Sequence, residues 1–215
     1  MTAPFPGTAA LAAIPRLGWA QEPTPITELP ELAAELGLGW LGVKRDDLCT
    51  PLHGGSKTRK LDFLLAAAPW RDARGWRAMG AIGSGQLVAC ATAAGLLGKE
   101  LRAHLFWEQP SIGVLDNLAH TASHASALRY HRSRVSLALT APALLLGRGD
   151  AEWATIPPGA TCLLGNLGLV RAGLELGEQV RAGVLPEPEV VYVALGSGGT
   201  AAGLAVGLGL AGLRS

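Results

Sequence analysis

Three times in this chain an apolar, β-type run ends in a turn that opens directly into a helix-forming run, and this repeated order restricts the fold more than any other feature. Residues 40–44 read as a strand that leads through Arg45-Asp46-Asp47 to a glycine turn at Gly54-Gly55, after which Leu61, Leu64, Leu65 and Ala68 fall at helical spacing. Residues 78–82 read as a strand, Gly83-Ser84-Gly85-Gln86 as its turn, and 87–97 as an alanine-rich helix closed by Gly98. Residues 190–195 read as a strand that meets Gly196-Ser197-Gly198-Gly199-Thr200 and a final helix. Repeated strand-to-helix crossovers favour an α/β class: three layers, with largely parallel twisted sheets, helices on both faces, and a ligand crevice at the strand carboxyl ends.

The remaining segments fit the same scheme. The first 29 residues, rich in Pro and Thr, are expected to wrap over the surface before a helix at 30–36 that stops at Gly37. Residues 101–106 read as a strand, 114–124 as a helix, 127–130 as a short strand and 140–150 as a helix running into a loop. After Pro157-Pro158-Gly159, a second loop is expected at Leu164-Gly165-Asn166-Leu167-Gly168, then a helix through Leu174, Leu176 and Val180.

Composition removes several function classes. With 215 residues, 49% hydrophobic and 16% charged, the chain can bury a substantial core. A net charge of +1, with its Lys and Arg scattered rather than striped, argues against nucleic acid as a ligand. Cys49, Cys90 and Cys162 are odd in number and far apart, which suits a reducing cytoplasm better than a disulfide framework or a C-x-x-C motif. The apolar stretch at 9–14 is broken by Pro15 and has no Lys or Arg before it, so neither a signal peptide nor a membrane span is expected, and the protein reads as soluble. His53, His104, His120, His124 and His131 show no ligand pattern, so no metal is assigned.

Two segments carry candidate chemistry. At residues 196–200 a strand delivers glycines to a helix N-terminus, where free N–H groups and the helix dipole favour a phosphate; the same loop reads equally well as a tight packing turn. In Ser56-Lys57-Thr58-Arg59-Lys60 three cations crowd within four positions at a helix start. Mutual repulsion and the macrodipole lower an amine's pKa there and favour an imine-forming nucleophile, while a solvated basic turn is the plainer reading. A nucleotide loop fits less well, because residues 196–200 are not followed by G-K-[ST].

Taken together, Pro23-Thr24-Pro25-Ile26, Lys44-Arg45-Asp46-Asp47, Gly54-Gly55-Ser56-Lys57-Thr58-Arg59-Lys60-Leu61, Ile156-Pro157-Pro158-Gly159, Leu164-Gly165-Asn166-Leu167-Gly168 and residues 196–203 resemble, in order, the 1-aminocyclopropane-1-carboxylate deaminase and D-cysteine desulfhydrase family. The resemblance implies pyridoxal 5'-phosphate as cofactor and the tryptophan-synthase-β-like fold in two lobes. One lobe is made of residues 1–58 and 164–215 and binds the cofactor; the smaller is 59–163. It also implies Lys57 as the Schiff-base lysine, Lys60, Gly196, Ser197, Gly198, Gly199 and Thr200 as further cofactor contacts, and deamination or lysis of a small amino acid, commonly by a homodimer. Ser84 falls where the family has a serine near the substrate carboxylate or the cofactor face, although a helix cap explains it as economically. Gly85 replaces the asparagine that follows it in the family, with Gln86 as a partial substitute on the substrate side. Ser56 replaces an asparagine, and Leu169 a tyrosine.

Family members run on for about another hundred residues, a length on the scale of a small domain. The chain therefore reads as a family member shortened at its C-terminus, with the cofactor lobe incomplete. The alternative is a degenerate member that keeps the fold and binds only a small anion or a partner chain.

Overall fold

The computed structural model describes residues 5, 7–50, 55–147, 150 and 152–214. A short helix α1 (Thr8–Ala12) precedes strand β1 (Ile26–Glu28), helix α2 (Pro30–Glu35) and strand β2 (Gly42–Lys44). Helix α3 (Ser56–Leu64) follows, and then β3 (Gly75–Ala81), α4 (Gly85–Leu97), β4 (Glu100–Phe106), α5 (Ile112–His124) and β5 (Ala127–His131). Helices α6 (Arg134–Thr140) and α7 (Pro142–Leu145), strand β6 (Trp153–Thr155) and the long helices α8 (Leu163–Arg181) and α9 (Gly199–Leu210) complete the described chain.

The main sheet is parallel throughout, in the order β5-β4-β3-β6, with Ala78 opposite Ala103 and Ala103 opposite Leu128. Parallel neighbours require crossover helices. Here α4 and α5 pack together on one side, while α6 and α7 close over the other. Helix α4 is rich in small residues; Ala91 and Ala94 sit fully buried against Trp76, Leu87 and Leu101. Its end at Gly98 (φ 61°, ψ 33°) uses a left-handed conformation that glycine adopts without a Cβ penalty.

Helix α8 is the spine of the rest. It packs against α3 on one side and α9 on another, and an apolar cluster of Phe5, Leu11, Phe63, Val170 and Leu174 binds α1 to the same spine. The N-terminal region is thus more than a surface wrap: α1 buries Leu11, and β1 pairs antiparallel with β2.

Three further expectations are corrected. Residues 140–150 do not form one helix; Pro142 starts α7 after α6 ends at Thr140, as proline at a first helical position does. Residues 164–168 are not a loop but the first turns of α8, where a Cβ at Gly165 would strike the Ala160 carbonyl and one at Gly168 the Arg59 carbonyl. Glycine there serves close backbone approach rather than a turn. Residues 190–195 have no sheet partner among the described residues; Val191 packs against the Leu176, Leu185 and Leu208 cluster, while most of the others face outward, Tyr192 90% and Leu195 75% exposed. A strand needs a hydrogen-bonding neighbour, and local sequence records only the preference for one.

Helices α8 and α9 meet backbone to backbone. A Cβ on Gly173 would lie 2.8 Å from the Gly207 Cα, and one on Gly207 would run into the Val170 carbonyl. Gly207→Leu should force the helices apart and destabilise the protein by about 1–3 kcal/mol, the usual range for overpacking. Thermal melts should show this as a loss of about 2–4 °C per kcal/mol at this chain length; an unchanged Tm would contradict the close crossing.

Candidate active site

Helix α3 is fixed on one face so that its other face can be reactive. Arg59 is fully buried and donates through Nε and a terminal nitrogen to Asp46 (2.9 and 2.8 Å), and through the other terminal nitrogen to Glu175 Oε2 (2.9 Å) and Glu22 (3.3 Å). Lys44 joins from β2, donating to Glu175 Oε1, Gln179 Oε1 and Thr24 Oγ1. Burial alone would lower the Arg59 pKa, but Asp46 and Glu175 outweigh it and hold the guanidinium above its ordinary value. This network ties β2, the 3₁₀ turn at Asp46–Leu48, α3 and α8 together.

Lys57 and Lys60 lie three apart on α3 and so share a face. Gly55, at φ 91°, starts the helix with its N–H on the Asp46 carbonyl; Gly54 and His53 lie outside the described residues. Lys57 is half-buried, with Nζ 3.4 Å from the Ser56 hydroxyl, and burial holds its pKa below that of an ordinary lysine. Repulsion from neighbouring cations, expected from the sequence, is not what lowers it. The repulsion instead acts on Lys60, where burial first and the Lys57 charge second bring the pKa to about 8.

The Lys60 side chain donates to two neutral oxygens, the Gly159 carbonyl and Thr161 Oγ1, each at 3.1 Å. Thr161 Oγ1 lies 2.6 Å from Ser197 Oγ, in the loop that opens α9. There Gly198 (φ 81°) is the N-cap residue, and no side chain caps the helix. Gly199 packs so closely that a Cβ on it would lie 2.5 Å from Asn166 Oδ1, a buried oxygen without a hydrogen-bond partner. Among the described residues, uncapped N–H groups at a helix start thus lie next to a buried ammonium whose hydrogen-bond partners are neutral oxygens, an arrangement that favours an anion.

The turn around Gly159 is the hub. Its N–H is donated to Gln86 Oε1, its carbonyl accepts Lys60, and its Cα faces the Ser197 side chain. Gln86 Nε2 also donates to the Pro157 carbonyl (2.9 Å), so the start of α4 is fastened to the same turn. Ser84 caps α4, accepting from the Leu87 N–H at 3.4 Å. Lys60, Gln86 and Ser197 thereby meet at the Gly159 turn, with Lys57 one helical turn from Lys60 on α3 and Ser84 two residues before Gln86 at the start of α4.

Sequence reasoning did not single out Thr161 or the role of Arg59. It quoted Asn166 within a motif without giving it a task. The readable signals were a polar residue in an apolar helix for Asn166, and for Arg59 its place between two lysines that face elsewhere. Among the described residues, no group of three or more His, Cys, Asp or Glu side chains is placed to hold a metal, and no helix is long and apolar enough to cross a membrane.

A family model described as "Pyridoxal-phosphate dependent enzyme" matches residues 20–214. The chain is 35% identical over 209 residues to nocardicin C-9' epimerase of Nocardia uniformis subsp. tsuyamanensis, covering 94% of this chain and 62% of that protein. It is 37% identical over 207 residues to D-cysteine desulfhydrase of Klebsiella pneumoniae (strain 342), covering 92% of this chain and 61% of that one. The solved structure of an ACC deaminase homologue superposes with a TM-score of 0.80 at 32% identity, over 96% of this chain and 62% of its own. The chain thus spans about three fifths of the length of these relatives.

Proposed function

Since the chain belongs to the pyridoxal-phosphate dependent enzyme family, we propose that Lys57 carries the family's cofactor and that the cleft acts on a small amino acid, breaking a carbon–nitrogen or carbon–sulfur bond after removal of a proton from carbon. The observation that carries this reading is the alignment of a half-buried amine, Lys57, one helical turn from a buried ammonium, Lys60, which reaches through Thr161 to the uncapped start of α9.

The residues fit the group. Lys60 has no carboxylate among its hydrogen-bond partners, the N-terminus of α9 is uncapped, and Gly196 and Gly198 have open space where a Cβ would be. A phosphate held by Gly196, Ser197, Gly198, Gly199 and Thr200 would balance the Lys60 charge. When bound, the cofactor supplies an electron sink for the pair left on the substrate carbon. Lys57 Nζ, unprotonated more readily than an ordinary lysine because it is buried, takes and returns the proton. Gln86 holds the Gly159 turn in place, and Ser84 offers a hydroxyl at the mouth of the cleft for a substrate carboxylate.

In this reading residues 1–58 and 164–215 form the cofactor lobe and residues 59–163 the smaller one, a division that passes through α3. A homodimer and a cytoplasmic setting belong to the same proposal, the latter supported by three cysteines that are all free thiols. The test is deuterium exchange at the α-carbon. With pyridoxal phosphate added, D-cysteine or 1-aminocyclopropane-1-carboxylate should yield ammonia and a 2-oxo acid, and D-cysteine sulfide as well. Small amino acids that give no product should still exchange their α-hydrogen. Neither product nor exchange with any small amino acid would sink the proposal.

A further inference from the structure

The face of the main sheet turned toward α6 and α7 carries an unusual gathering of cations. In parallel strands, paired residues and those two apart share a face. The register sets Arg77 opposite Arg102, His104 opposite Arg129, and Phe106 opposite His131. Three arginines and two histidines therefore stand together on β3, β4 and β5: Arg77 and Arg102 are each the third residue of their strands, Arg129 is mid-strand, and His131 ends β5, whereas Ser84 and the candidate active site lie beyond the carboxyl end of β3.

Helices α6 and α7 cover only part of this face. Leu137 and Leu144 pack on Met79 and Phe106, and beside them a cavity of about 340 Å³ remains open, lined by Arg77, Arg102, His104, Arg129 and the α7 residues Ala143 and Leu144. Like charges on neighbouring strands are destabilising. Asp150 offsets one of them, accepting from Arg77 at 2.6 Å, and the Arg102 guanidinium carbon lies over the Trp153 ring, 3.6 Å from its centroid. The arrangement keeps positive charge on a concave surface that a core would not need.

The histidines add a proton-linked element. Thr140 Oγ1 donates to the Ser136 carbonyl, so it accepts from His131 Nδ1 (2.9 Å); His131 Nε2 then accepts from His104 Nδ1 (3.0 Å). This leaves His104 Nε2 as a bare lone pair. Burial first, then His131, Arg129 and Arg77, push the His104 pKa down to about 4. The charged groups facing this pair are Arg77 and Asp150 beside β3 and β6, Arg102 on β4, Arg129 on β5 and Arg134, which lies over Phe106 from α6.

We propose that this pocket is a second ligand site, separate from the candidate active site, that binds a small polyanion of the diphosphate or phosphate-ester class, and that binding draws a proton onto His104. A guanidinium fork matches phosphate oxygens, and three around one concavity suit an anion of two or more charges. The confined patch and net charge of +1 favour a small molecule over nucleic acid. An anion in the cavity would offset the charges that disfavour imidazolium, so binding should tighten as pH falls.

The probe is inorganic pyrophosphate, titrated calorimetrically into protein already saturated with pyridoxal phosphate, so that the loop at residues 196–200 is filled. Binding at one site is expected, with proton uptake seen as heat that varies with the buffer's ionisation enthalpy. Arg129→Gln, on an exposed side chain, should weaken it at least tenfold, while Arg214→Gln, the same charge change far away, should leave it unaltered. In wild-type protein, the His104 ring resonances should titrate at higher pH once pyrophosphate is present. Equal affinity for pyrophosphate in Arg129→Gln and wild type, an unmoved His104 titration, or displacement of pyridoxal phosphate by pyrophosphate would each overturn the proposal.

Discussion

Lys57→Ala should remove every trace of covalent cofactor attachment: the protein mixed with pyridoxal phosphate and reduced with borohydride should show no mass increase, while the wild type carries one on the peptide containing Lys57. The expectation is this strong because attachment needs an unprotonated amine within the cleft. Lys57 is buried enough to hold its pKa down, and among the described residues its hydrogen-bond partner is the Ser56 hydroxyl. Loss of a proton-transfer group of this kind costs catalysis about 10²–10⁴-fold by itself. Lys60 is the necessary comparison, because it too is a buried lysine with a lowered pKa. Its Nζ is tied to Gly159 and Thr161, so Lys60→Met should keep the adduct on Lys57 but weaken capture of the phosphate. Loss of one charge-assisted hydrogen bond, about 1.5–3 kcal/mol, corresponds to about 10–100-fold in affinity. Lys60 is charged below its pKa of about 8, so in the wild type phosphate binding should weaken as pH rises through that value. An adduct mapped to Lys60, or one that survives in Lys57→Ala, would mean that the two lysines have been assigned in the wrong order.

What the sequence revealed and what it hid divide along physical lines. The start of α3 with Lys57 in its first turn, the helix after Ser84 and its stop at Gly98 were all legible, because caps and glycine breaks act within a few residues. The first turns of α8 were misread for an instructive reason. Gly165 and Gly168 look like a loop in one dimension, whereas they are glycines because the Ala160 and Arg59 carbonyls press against them from distant parts of the chain. Residues 190–195 fail in the opposite direction: their apolar, β-branched side chains state a preference that only a neighbouring strand can satisfy. At the site, the chain of contacts from Gln86 to Gly159, Lys60, Thr161 and Ser197 spans more than a hundred positions, so no local pattern contains it. The resemblance supplied the order of the motifs. It did not show that a single turn at Gly159 is where they meet.

Arg59→Met should be the most destabilising substitution in α3, by about 3–5 kcal/mol at neutral pH, the range for removing one partner of a buried ion pair. That is a large share of the roughly 5–15 kcal/mol that holds a domain folded. Methionine fills much of the volume but leaves Glu175 and Asp46 facing each other across the space the guanidinium occupied, each close to Thr24 Oγ1. Glu175 shows why the effect must depend on pH. Burial pushes its pKa up, but Arg59 and Lys44 pull harder and hold it below the ordinary carboxylate range. A carboxylate with a depressed folded-state pKa contributes stability that is present above its unfolded value, about 4.3, and is lost as pH falls through the folded one. In the variant Lys44 alone is left to oppose burial, so the Glu175 pKa rises from its wild-type position and protonation relieves part of the strain. The gap between wild type and Arg59→Met in urea unfolding should therefore be widest near pH 7 and close as pH falls below 5. Arg45→Met serves as a control, since Arg45 pairs at the surface with Asp47 and its loss should leave the midpoint unchanged. A gap of the same size at pH 4 and pH 7 would show that Arg59 acts through packing, and that the charge network is not what holds Lys57 toward the cleft.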